Sequence, residues 1–335
     1  MGILREYLIP RFFTFLFVIF FGMTIVFLIP RFTPLSPVIS TINRIQANGE
    51  IYDPASLSQL MGSLNALYGL KGTLLDQYVG FLTRALTGNL GPSLTYYPTS
   101  VNSIILRALP WTIGLLLMST LIAWLLGNFI GGLAGYFSQK KSAKTLGIFA
   151  TVVYPIPYYI MALLVVLVLS FEIPLFPSYG ALSIGTQISF SLAFLSDYLY
   201  HATLPALSLV LVGYGWWFLS MRNLSAQTKS EDYVQFGEAM GLPQRKLLYK
   251  YVMRNSLLPQ VTGLILSLGF IFGGAMVTEV TFSYPGIGLV LENAILNGDY
   301  TLLMGIVTYA IIAVALAALV LDLIYPLIDP RIRYK

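Results

Sequence analysis

Few side chains in this chain could do chemistry, and their types and spacing limit what that chemistry is. His201 is the sole histidine, and Asp197 precedes it by four residues, so the two can pair on one face of a helix. With that one histidine, HExxH metal chemistry and ordinary Ser-His-Asp triads are unavailable, and the pair reads as a contact at a membrane interface. Cysteine is absent, which removes disulfides, thiolate metal sites and a cysteine nucleophile. No Gly-Lys dipeptide occurs, so there is no Walker A loop to cradle phosphates, and the chain should not hydrolyse ATP itself. Glu279 and Asp322 lie only near the ends of apolar runs. A proton-coupled carrier needs carboxylates deep in the hydrocarbon, where they are costly and kept for function. Work done across a membrane would therefore draw its energy from a partner.

What remains is a charged island over 231–259, EDYVQFGEAMGLPQRKLLYKYVMRNSLLP. Tyr233, Phe236, Gly237 and Met240 recur at i, i+3, i+4 and i+7, with Glu231, Asp232, Gln235 and Glu238 opposite, which predicts a short amphipathic helix. Gly241 can close it in the left-handed conformation, and Pro243 suits the first turn of a second helix. There Leu247, Leu248, Tyr251 and Val252 make an apolar stripe, with Lys246, Lys250 and Arg254 on the other face. Two short helices at a sharp corner would form a docking knob. A second unusual stretch is Tyr154-Pro155-Ile156-Pro157-Tyr158, inside an apolar run. Its prolines free backbone carbonyls that can bend a helix or line a polar path, and both readings stand.

The elements that must position these residues are membrane spans. Hydrophobic residues make up 57% of the 335 and charged residues 10%, against about a quarter charged in soluble domains. The fold class is an all-α polytopic membrane protein. Uncharged runs at 12–29, 108–139, 145–171, 202–221, 255–278 and 300–321 predict six transmembrane helices. The first is too long for a signal-peptide core and no small-x-small site follows, so it is expected to be retained. A run at 173–196 holds two prolines, two glycines and many Ser, Thr and Gln, and is rejected as a span. Tyr214, Trp216 and Trp217 could line a substrate path or pack against lipid, and Gly273-Gly274 permits close helix approach.

Three parts follow: residues 1–30 as N-terminus and first span, 31–100 as a helical cap, and 101–335 as a five-helix core with a loop at 222–256. In the cap, Asp53-Pro54 is an N-cap and first-turn pair. Leu57, Leu60, Met61, Leu64, Leu67 and Tyr68 then form one stripe, and Leu75, Tyr78, Leu82, Ala85 and Leu86 a second that stops at Gly88. With the N-terminus inside, only Arg31, Arg44, Lys71, Arg84 and Arg107 of the 19 basic residues fall outside. The positive-inside rule therefore puts both termini and the knob in the cytoplasm and the cap outside. The net charge of +5 is an orientation signal and gives no reason to expect nucleic acid.

The knob resembles the EAA-loop region of ABC importer permeases, and nearly the whole chain resembles the dipeptide/oligopeptide-type permease subunits of that superfamily. The resemblance is carried by LYGLKGTLLDQYVGFLTRALTGNLGPSL, by the island itself, by GGAMVTEVTFSYPGIG and by the terminal LDLIYPLIDPRIR. Gln235, Phe236 and Gly237 stand where the superfamily has Glu-Ala-Ala, and Thr33-Pro34-Leu35-Ser36-Pro37 follows the first span where the family often has Gly-Asp-Pro.

The resemblance implies a type I importer permease of the inner membrane, with six spans and an extracytoplasmic cap between the first two. It implies a non-catalytic subunit with no cofactor or metal of its own. Its partners would be a second homologous permease, two ABC ATPases that use ATP and Mg, an extracytoplasmic substrate-binding protein and the lipid membrane. Short peptides are the implied cargo; relatives carry oligosaccharides or nickel complexes, and an ion-coupled secondary carrier is the reading the empty spans disfavour. Glu231, Asp232, Gly237, Glu238, Gly241 and Arg245 inherit the ATPase-coupling role. Tyr154, Pro155, Pro157, Tyr158 and Glu279 are translocation-path candidates.

Overall fold

The computed structural model describes residues 9–32, 38–39, 42–43, 46, 53–67, 69–189, 191–269 and 276–328. Among these the chain is helical, with no strand. In order come α1 (Ile9–Phe32), α2 (Pro54–Leu67), α3 (Leu74–Thr87), α4 (Val101–Tyr136), α5 (Lys141–Val153) and α6 (Tyr158–Val166), which runs on as a wider π-helical stretch over Leu167–Glu172. Then follow α7 (Leu192–Lys229), α8 (Asp232–Ala239), α9 (Gln244–Lys246), a π-helical stretch over Leu247–Met253, α10 (Arg254–Gly269), α11 (Met276–Thr281), α12 (Ile287–Leu296) and α13 (Tyr300–Ile328).

Among the described residues, α1, α4, α7 and α13 are long and apolar enough to cross a membrane, and α5 with α6 makes a fifth span if the bent pair counts as one. Helices suit hydrocarbon because their backbone groups bond to one another, a ladder that Pro110 in α4 and Pro205 in α7 each interrupt. The remaining expected span, 255–278, contains residues 270–275 and so lies partly outside the described residues, and Gly273-Gly274 lies wholly outside them. The expected run 202–221 is the middle of a much longer helix, because Ser191 caps α7 by accepting from the Phe194 N–H and the helix continues to Lys229. No helix forms over 173–189, in keeping with the rejection of that run as a span.

The chain divides into two units. The first combines the described parts of 1–111 and 286–320. Here the cap helix α3 packs on α1 through Phe81, Phe27, Met23 and Val26, with Met304 and Val307 of α13 against them. Tyr78 and Thr24 hydroxyls share a 2.6 Å hydrogen bond, and Arg31 donates twice to Gln77 Oε1 while stacking 3.5 Å over the Phe27 ring. The stripe expected on α3 is corrected: Phe81 is the buried residue, whereas Leu75 and Leu86 are exposed. Tyr78, Leu82 and Ala85 of that stripe do pack, with Phe81 beside them. Thr73 and Asp76 form a reciprocal capping box, and Gly88 closes α3 at φ +70. The hydrogen bonds from Thr73 hold the Asp76 carboxyl below its usual range. Asp53 accepts from the Ser56 N–H at 3.4 Å at the start of α2, whose Leu64 is buried with Val38 and Ile42; Tyr68 lies outside the described residues. Asp299, 1% exposed, caps α13 through the Leu302 N–H and also accepts from Ser93 Oγ and the Thr95 N–H. A buried carboxylate satisfied by three donors fixes the turn before α13.

The second unit combines 112–285 with 321–328 of the described residues. Its frame is the crossing of α4 and α7. A Cβ on Gly131 would lie 2.5 Å from the Phe218 carbonyl oxygen, one on Gly127 2.5 Å from Trp217 Cβ, and one on Gly135 would run into the Arg222 carbonyl oxygen. These three glycines, four apart, form the small-residue ladder that lets two backbones touch in a membrane. Ser225 Oγ donates to the Gly132 carbonyl across the same seam at 2.8 Å.

Candidate functional site

The knob is built from the ends of this crossing. Helix α8 starts after Glu231, with Asp232 in its first turn, where carboxylates suit the positive end of the helix dipole. It ends as expected: Gly241 has φ +75, its N–H donates to the Glu238 carbonyl and that of Leu242 to the Gly237 carbonyl. Pro243 then precedes the next helical turn. The buried face of α8 differs from the predicted stripe. Val234 and Gly237 point inward, while Phe236 is 68% and Met240 66% exposed and Tyr233 is also exposed. With eight residues, α8 presents two inward positions only, and a Cβ on Gly237 would lie 3.0 Å from Leu247 Cδ2 and 3.2 Å from Leu242 Cδ1, so a larger residue there would have to displace both side chains.

Val234 joins Tyr136 of α4, Met221 of α7 and Leu247, Leu248, Val252 and Met253 in one buried cluster. The second stripe is thus corrected at one place: Met253 is buried and Tyr251 half-buried, because the stretch is π-helical and the period is wider than 3.6. Lys229 Nζ donates to the Tyr136 carbonyl at 3.0 Å, Ser256 Oγ to Thr228 Oγ1 at 3.0 Å and Asn255 Nδ2 to the Tyr233 hydroxyl at 3.0 Å. The knob is therefore fixed rigidly to the ends of α4, α7 and α10. Glu231, Asp232, Glu238 and Arg245 are exposed, as are Lys246, Lys250 and Arg254. Phe236 and Met240 are thus exposed on the same short segment as these charged side chains.

The second set lies at the break between α5 and α6. Pro155 and Pro157 carry no N–H, so α5 stops at Val153 and α6 restarts behind Pro157, the two axes meeting at 105°. That angle makes the break a corner between two helices. It rests on α7 at Gly215, where an added Cβ would lie 3.0 Å from the Ala150 carbonyl oxygen and from Tyr154 Cβ. The corner turns Tyr154 and Tyr158 into a cavity of about 650 Å³, walled also by α4, α7 and α10. Trp216 and Trp217 stand in the same wall, and the Tyr154 and Trp216 rings are 5.6 Å apart, tilted by 32°. Tyr214 instead packs in the core with Phe218, Ala143 and Ala150.

Glu279 is not with these groups. It is 1% exposed, on α11, and its carbonyl accepts from the Tyr284 N–H at 2.7 Å. Asp197 and His201 do pair, at 3.4 Å, but Asp197 mainly accepts from Ser183 N–H and Oγ and from Thr186 Oγ1. It is a clasp that fastens the 183–186 loop to α7. Among the described residues no group of three metal-ligating carboxylates or imidazoles occurs. Two features escaped sequence reasoning. The Gly127, Gly131, Gly135 ladder was visible as a spacing, and the outward turn of Phe236 and Met240 had no signal, since an apolar residue on a short helix reads as core.

Residues 127–334, which contain both the knob and the corner, match the family described as binding-protein-dependent transport system inner membrane component. A Brucella ovis protein is 30% identical over 92% of this chain and 93% of its own length. An oligopeptide transport system permease protein of Bacillus subtilis is 27% identical, covering 80% of this chain and 83% of its own. One of the same description from Haemophilus influenzae is 28% identical, covering 94% and 95%.

Proposed function

The chain belongs to the family of binding-protein-dependent transport system inner membrane components, and on that premise we propose that it is the membrane-spanning permease subunit of an ATP-driven importer of short peptides. The cargo is inferred from the relatives named as oligopeptide permeases. The observation that carries the mechanism is the knob: a short helix with exposed Phe236 and Met240, fixed through one buried cluster to the ends of the spans. A rigid lever that exposes large apolar side chains among charged ones has the composition of a protein interface. Two ATPase subunits would receive it, bind ATP and Mg, and supply the energy; this chain contributes no catalytic group.

In this reading a second, homologous permease completes the pathway and an extracytoplasmic binding protein delivers the peptide. Closing of the ATPases pulls on α8, and the glycine corner at Gly241 passes the movement to α10 and α7. Transport is then a switch of the pair between two global arrangements. Glu231, Asp232, Glu238 and Arg245 steer and orient docking at the rim, while Gly237 and Gly241 shape the corner. Tyr154, Pro155, Pro157 and Tyr158 belong to the path. The test is ATP-driven peptide uptake by the reconstituted complex.

The charge distribution supports an orientation in the inner membrane with both termini and the knob cytoplasmic and the cap outside. The chain has no cysteine, so single cysteines report without background. Introduced at exposed Ser63 and Ile184, they are expected to react with an impermeant thiol reagent from outside; at exposed Ser142 and Ser230, only once the inner face is opened. Labelling of Ser230→Cys from outside would overturn this orientation.

A further inference from the structure

The cavity behind the corner carries a chemistry that the importer reading leaves unassigned. Its described wall holds no Asp, Glu, Lys, Arg or His, and is made of aliphatic, aromatic and hydroxyl side chains. At about 650 Å³ it falls in the range of small-molecule sites, roughly 300–1,000 Å³. Tyr154 and Trp216 both line it, each leaves close to half its surface open, and their rings lie 5.6 Å apart, tilted by 32°. Gly263 places the Trp217 ring, whose atoms would lie 3.2 Å from a Cβ there. Ser119 is 2% exposed, lines the same wall and has an Oγ without a hydrogen-bond partner. A buried hydroxyl left unpaired is costly unless something fills it.

We propose that this cavity receives an uncharged, ring-bearing or branched apolar side chain of the transported peptide, with the Ser119 hydroxyl bonding the adjacent peptide amide. The proposal rests on the peptide-importer reading and adds a side-chain preference to it. A charged side chain would lose its hydration in a wall that offers no opposite charge, which disfavours it. A planar or branched apolar group would instead gain burial and ring contact. A lipid acyl chain has no group for Ser119, and tyrosine and serine hydroxyls in the wall suit an amide better than a hydrocarbon.

The experiment uses the complete transporter in vesicles with saturating binding protein and two labelled tripeptides, Ala-Phe-Ala and Ala-Lys-Ala. The ratio of phenylalanyl to lysyl peptide uptake is expected to exceed one. It should fall roughly 2- to 10-fold in Trp216→Ala, the scale of one lost aromatic contact, and recover in Trp216→Phe. Ser119→Asp should move the ratio further toward the lysyl peptide. An unchanged ratio in Trp216→Ala and Ser119→Asp, as when an acyl chain or a helix of the second permease fills the space, overturns the inference and leaves the importer reading standing. Absence of ATP-driven uptake of either peptide by the unaltered complex removes the importer reading itself.

Discussion

Phe236→Glu is expected to abolish most ATP-driven uptake while the protein still inserts, folds and reaches the membrane in normal amount. The side chain is 68% exposed, so its replacement costs the isolated subunit almost nothing. On an ATPase it would be the aromatic centre of the contact, where truncation typically costs about 2 kcal/mol or more, or roughly 30-fold in affinity. A carboxylate buried there adds an unpaired charge. Gly241→Val reaches the same end by another route. No atom lies within 4 Å of a Cβ at Gly241, so the penalty comes from the backbone alone: at φ +75 a β-branched residue costs on the order of 1–2 kcal/mol. The corner then relaxes and α9 leaves its register. Glu238→Arg reverses a rim charge and should weaken association in a salt-dependent way. Copurification of the ATPases and their stimulation by loaded binding protein are the readouts. Full copurification and normal uptake in Phe236→Glu and Gly241→Val together would remove α8 as the coupling element.

The second large effect is structural. Gly131→Leu should leave little correctly folded protein, because the Phe218 carbonyl oxygen already stands 2.5 Å from where its Cβ must go. The obstacle is backbone on both sides, so neither helix can yield by changing a rotamer. Overpacking of this kind costs about 1–3 kcal/mol when side chains can adjust, and the seam between α4 and α7 offers no such relief. The same seam carries the knob, through Met221 and Tyr136. Gly62→Ala on α2, with nothing within 4 Å, is the control and should stabilise by about 0.5–1 kcal/mol through lower backbone entropy. The yield of monodisperse protein after detergent extraction, and its melting temperature, separate the two. A Gly131→Leu protein with unchanged yield and melting would show that the two helices do not touch there.

Much of this organisation was legible from residue types. Gly241 and Gly88 marked helix ends because left-handed closure favours glycine, and both adopt positive φ. The proline pair marked a break in the third span, but proline spacing holds no information on its angle, which depends on Gly215 receiving the corner. The inward face of α8 was misread because periodicity assumes that apolar means buried. Phe236 and Met240 are exposed, as the proposed docking role would require, and Val234 and Gly237 do the packing. The glycine ladder was hidden in plain composition: within a uniformly apolar helix no polar contrast says which side meets a neighbour, although the four-residue spacing does. Burial of Glu279 had no signal, because a carboxylate beside an apolar run is expected at the interface.

The most direct measurement is uptake of a labelled tripeptide into vesicles that hold this chain, its partner permease, two ATPases and loaded binding protein, with ATP supplied on the ATPase side. The account predicts accumulation that requires ATP, binding protein and an intact knob together, that ceases when hydrolysis is blocked, and that no imposed proton or sodium gradient can replace. Accumulation driven by an ion gradient without ATPases, or unaffected by removal of ATP, would contradict it.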